Sequence, residues 1–138
     1  MRKLLSLIFG LSLSGFSLAA DIDAALFGNF GHAYTGRPGT PVWTLRPAAA
    51  GASLFQHGDA SSLSMQVMTA AQRQRFWEKM WWPEATAASA HCLSARETVV
   101  CRVATVDRRK IDGLSEAPSD FFYYDPVGGI ISMLPLKK

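Results

Sequence analysis

The chain is poor in the residues that usually announce chemistry. It has two cysteines and three histidines in 138 residues. His32, His57 and His91 show no H-E-x-x-H or comparable spacing, so a zinc site has no sequence signature here. The nearest approach is His57 and Asp59 about a glycine, which could join a metal site only with ligands from elsewhere. No G-x-S-x-G is present, and no serine stands in a context that marks a nucleophile. The glycine-rich stretch 31–41 lacks the Gly-Lys-Ser/Thr ending and the flanking strand and helix of a phosphate loop. Glu78, Glu84, Glu97 and Glu116 lie in polar surroundings that give no reason for a shifted pKa. A carboxylate pair for glycoside cleavage is defined by distance in space and stays open at this level. No cofactor is implied.

Charge of one sign is also scarce. The whole chain carries 14 Lys+Arg against 11 Asp+Glu. Arg2 and Lys3 belong to a basic start followed by the apolar run 4–16 and the small residues Ser17 and Ala19. This is the pattern of a secretory signal peptide over residues 1–19, cut after Ala19. Without it, 12 basic residues face 11 acidic ones, which gives no support for nucleic acid as a partner. No other run approaches the roughly 20 apolar residues of a membrane helix, so the mature chain is expected to have no transmembrane span. Residues 20–138 then read as one exported domain, periplasmic or secreted, with 21–41 as a partly flexible N-terminal segment.

Local patterns supply the elements. Residues 21–30 suggest a short helix that Gly28 ends, and 31–41, with three glycines and two prolines, reads as a connector carrying His32, Tyr34 and Arg37. Short β-type runs follow at 42–45 and 53–56, and 62–68 alternates with Leu63, Met65 and Val67 on one face. These three strands predict an antiparallel meander. Thr69 with Gln72 three residues on forms a capping box for a helix over 70–82, which Pro83 stops. Phe76, Trp77, Met80 and Trp81 fall on one stripe of that helix and Trp82 falls off it. Cys92 and Cys101 sit at hairpin spacing, and export favours a disulfide between them. Pairing them places Ser94 opposite Val99 on the same mostly apolar face, with 95–98 as the loop. Residues 107–120 read as a polar loop. The runs 121–124 and 130–134 flank Asp-Pro-Val-Gly-Gly, a strong hairpin signal.

Strands gathered around one main helix predict an α+β fold: an antiparallel sheet of about five to seven short strands packed on that helix, with the Cys92–Cys101 hairpin clipped to it. The expected function is non-catalytic binding of another protein, in the manner of an inhibitor or immunity protein acting on a cell-wall hydrolase or toxin. Accessory service in an envelope assembly or secretion system, and a small hydrolase, are the alternatives. The candidate contact residues are Trp82, Tyr34, Arg37, Arg108 and Arg109.

Overall fold

The computed structural model describes residues 21–59 and 61–137, so the expected signal peptide lies outside the described residues. Eight antiparallel strands follow one another around a closed barrel: β1 (Gly28–His32), β2 (Trp43–Ala48), β3 (Gly51–Gln56), β4 (Ser61–Val67), β5 (His91–Ala95), β6 (Thr98–Arg102), β7 (Phe121–Asp125) and β8 (Gly129–Pro135). The expected α+β layer of five to seven strands on one helix is therefore corrected: the sheet curls until β1 meets β8, and the main helix covers only part of the outside. The strand that closes it was hidden in the segment read as a short helix and connector. A single 3-10 turn, Ala24–Leu26, is all the helix there is in that segment, and Gly28–His32 then pairs with β2 on one side and β8 on the other.

Alternation along the strands sorts the side chains. Phe30, Trp43, Leu45, Leu54, Met65, Leu93, Val100, Tyr123 and Met133 point inward and are buried together. Trp43 stacks on Tyr123 with ring centroids 5.2 Å apart. Eight strands leave an interior that side chains fill, and here bulky residues from every strand fill it. Leu26 joins this core from the 3-10 turn, whose cap residue Asp23 accepts a hydrogen bond from Arg102 at 2.9 Å. That ion pair fastens the N-terminal turn to the barrel.

A second core lies outside the wall formed by β5, β6 and β7. The helix α1 (Ala70–Lys79) carries the predicted capping box, with Thr69 and Gln72 each accepting from the other's backbone N–H. Phe76 and Trp77 descend from it onto Phe122 and Tyr124, with the Phe76–Tyr124 centroids 5.1 Å apart. Cys92 and Cys101 are bonded beneath this layer in the predicted register, with Ser94 opposite Val99. The turn is tighter than expected: Ala95 pairs with Thr98, leaving Arg96 and Glu97 as a two-residue loop with Arg96 at φ 55°. Val99, Val100 and Cys101 are buried in succession because this wall has a core on both sides.

The stretch between β6 and β7 is more ordered than a polar loop. It begins with a helical turn, α2 (Thr105–Arg108), and sends Ile111, Leu114 and Ala117 into the outer core. Arg108 organises it. Its guanidinium is buried, donates to the Asp120 carboxylate at 2.8 Å and donates to the Leu114 carbonyl at 2.8 Å. Burial raises the Asp120 pKa, but the hydrogen bonds from Arg108 and Thr105 outweigh it and hold the carboxyl below its usual value.

Two consequences can be measured. Gly51 has φ 146°, and a Cβ there would run into the Met65 backbone carbonyl. Gly51→Ala should lower unfolding stability by about 2–4 kcal/mol, because clash adds to backbone strain. Gly58→Ala, at φ 96° with nothing within 4 Å, should cost only about 1 kcal/mol. Equal losses in denaturant titrations would refute the close approach. Second, Asp120 has a lower pKa folded than the roughly 3.9 of an unfolded chain, so its contribution is present above that value and fades as pH falls through the folded one. Asp120→Asn should cost about 2 kcal/mol at pH 7 by leaving Arg108 without its anion. The gap between variant and parent should shrink below pH 4; a gap that stays constant to pH 2 would remove the ion pair from the account.

Candidate functional site

The outside of the barrel is unequal. The wall β5–β7 lies under α1 and the 104–120 segment, whereas the outward residues on β1 to β4 include a solvent-facing polar row. Register places Asn29, Thr44, Phe55 and Ser62 across the four strands on a single rung. Arg46, Ser53 and Ser64 form the next rung on β2, β3 and β4. The β2–β3 pairing runs one step past the strand ends, and the His57 N–H donates to the Val42 carbonyl at 2.8 Å. That contact brings the His57 ring over Thr44 and edge-on to Phe55, 4.9 Å between centroids. The result is a recess of about 310 Å³ lined by Thr44, Arg46, Ser53, Phe55, His57 and Ser62.

Thr44 is the hinge of the recess. Its hydroxyl donates to Asn29 Oδ1 at 2.6 Å and lies 2.7 Å from His57 Nε2. A hydroxyl has one proton, already given to Asn29, so it accepts from His57. His57 then carries its proton on Nε2 and acts as a donor. A base that activates Thr44 would need the opposite polarity. The arrangement fixes the imidazole in place and leaves a rigid polar floor beside an aromatic ring. Asp59, the other half of the sequence's metal candidate, accepts from the Ser61 hydroxyl at 3.2 Å. Among the described residues no three His, Cys, Asp or Glu side chains gather as a metal site.

The sequence-derived contact residues are scattered. Tyr34, 68% exposed, and Arg37 stand on the connection between β1 and β2. Arg108 is the buried anchor described above, while Arg109 beside it is exposed. Arg108 and Arg109 border one shallow recess with Ser115, Glu116 and Ala117, which none of Tyr34, Arg37 and Trp82 lines. Trp82 is half-buried, with its ring 5.1 Å from Trp77 and 5.4 Å from Phe122. The exposed member of the pair is Trp81, at 93%, which the helical stripe had placed on the core.

The exchange between the two tryptophans has a backbone cause. The helix ends at Lys79, with Met80 as its C-cap, instead of continuing to residue 82. The Trp82 N–H donates to the Trp77 carbonyl and the Trp81 N–H to the Glu78 carbonyl, both at 3.1 Å. This is a Schellman ending, whose turning residue adopts left-handed φ and is usually glycine. Here it is Trp81, at φ 59°. The turn swings Trp82 back onto Trp77, the apolar contact that accompanies such an ending, and throws Trp81 outward. A pattern of helical spacing carries no sign of this, because it assumes the helix continues; the glycine that would have marked the stop is absent.

The Asn29–Thr44–His57 recess was also invisible in sequence. Its parts are 15 and 13 residues apart, joined only by strand register. Among the described residues no helix is long and apolar enough to cross a membrane. No family model matches the chain, and no curated protein or solved structure matches it either.

Proposed function

We propose that the chain is a small exported binding protein that docks on another protein through Trp81, in the manner of an inhibitor or immunity protein directed at an envelope hydrolase or toxin. One observation carries the reading: a fully presented tryptophan occupies a position where glycine is the favoured residue. A non-glycine residue in the left-handed region costs about 1–2 kcal/mol. Trp81 recovers none of that in the folded chain, since 93% of its surface faces solvent. Backbone strain of this kind concentrates at working surfaces, and tryptophan is among the residues that dominate binding energy when buried at an interface. The support is rigid as well: Trp77 Nε1 donates to the Thr86 hydroxyl at 2.9 Å, which in turn donates to the Pro83 carbonyl at 2.6 Å. Those bonds tie the end of α1 to the following 3-10 turn (Glu84–Ala87), so the backbone that carries Trp81 is anchored on both sides. A backbone already fixed at the anchor has less entropy to lose on docking.

Export rests on the N-terminal pattern, and the buried disulfide fits an oxidising compartment. A packed barrel interior leaves the outer surface for recognition.

The test is affinity capture from periplasmic extract with the disulfide-bonded protein as bait, beside Trp81→Ala and Trp81→Gly. A stoichiometric partner should be retained by the parent and lost by both variants, with affinity falling about 30-fold or more, the scale of an interfacial hot spot. Trp81→Gly should at the same time raise unfolding stability by about 1 kcal/mol by relieving the strained φ. A partner held equally well by Trp81→Ala would sink the docking role. A Trp81→Gly variant less stable than its parent would show that the residue serves the fold.

A further inference from the structure

We propose that the recess on the β2–β4 wall is a saccharide site that takes a carboxylated sugar. Its volume of about 310 Å³ is at the lower end of the roughly 300–1,000 Å³ of small-molecule sites, which suits a single sugar unit. Its chemistry narrows the class. Phe55 is 38% exposed and its ring is held edge-on by His57, so one apolar surface is offered at a fixed angle. The C–H face of a pyranose matches such a surface. Ser53, two residues before Phe55 on β3, and Ser62, opposite it on β4, supply hydroxyls, each able to donate and accept, as a polyol requires. Arg46 supplies one charge. It forms no ion pair with any described residue, and no carboxylate lines the recess. A guanidinium with free N–H groups next to a hydroxyl-lined aromatic surface calls for a carboxylate on the ligand.

The same inventory disfavours the neighbouring classes. A metal ion would need anionic ligands that the recess lacks. A phosphate dianion would call for a cluster of cations, and Arg46 is the one Lys or Arg side chain that lines the recess. A wholly apolar ligand would leave the Arg46 guanidinium and the hydroxyls of both serines facing hydrocarbon. The site stands on a different wall from Trp81, so it is independent of the docking reading.

The experiment is an isothermal and NMR titration of the folded, disulfide-bonded protein with two matched pairs, glucuronic acid against glucose and N-acetylmuramic acid against N-acetylglucosamine, together with inorganic phosphate. At least one acid should bind saturably, with amide shifts centred on β2, β3 and β4, and should bind roughly fivefold tighter than its neutral partner, the worth of one charge-assisted contact near the surface. Arg46→Gln, a change at an exposed side chain, should remove the preference for the acid over its neutral partner. Phe55→Ala should weaken both members of the pair, with a thermal melt confirming that it is folded. Absence of saturable binding by either acid, equal affinity for acid and neutral sugar, shifts centred elsewhere, or phosphate binding as tightly as the acids would each overturn the proposal.

Discussion

The three-residue seam between β1 and β8 is the constraint on which the architecture depends. Phe30 lies opposite Pro135, Gly31 opposite Leu134 and His32 opposite Met133, while the first half of the same short strand pairs with β2. Without that seam the sheet would present two open edges, each a template for pairing with another chain. With it, the inward residues of all eight strands face one another and need no further layer. Phe30 sits at the joint, paired on both sides and buried, so one side chain serves closure and core together. Gly31 is wedged there as well, where a Cβ would press on the Thr40 carbonyl at 3.0 Å.

Closure then decides what the helix is for. In an open sheet, α1 would have to cover the main hydrophobic face. In the barrel that face is already inside, and α1 builds a second core against β5–β7. Those strands are buried on both faces, and the disulfide between β5 and β6 is placed where the two cores share a wall. The remaining wall, β1–β4, keeps outward residues that packing does not claim. The division into a structural side and a free side thus follows from one helix being too short to wrap a closed barrel. Ten residues span about 15 Å.

Features written in short stretches of sequence were legible. The alternation around Met65, the Thr69–Gln72 capping box, the Cys92–Cys101 register and the aromatic hairpin all depend on residues within about ten positions of each other. What escaped depends on distant partners or on a broken local rule. The segment Gly-Asn-Phe-Gly-His has too few apolar residues and too much glycine to declare a strand, and it becomes one only because β2 and β8 flank it. Arg108 lies in a segment that reads as a polar loop, yet Asp120, 12 residues away, draws it inside. Trp81 and Trp82 exchange roles because a helix stops at a tryptophan in place of a glycine.

The sequence by itself therefore determined local conformation and pairing: which runs extend, where the helix starts, which cysteines meet. These follow from side-chain periodicity, caps and turn chemistry, which act over a few residues. The tertiary structure alone decided that the sheet closes, that a buried arginine holds the 104–120 segment, and that Asn29, Thr44 and His57 meet on an open wall beside Phe55 and Arg46. Each of these is a contact between residues far apart in the chain. Its free energy depends on burial and geometry that exist only after the strands have found their neighbours.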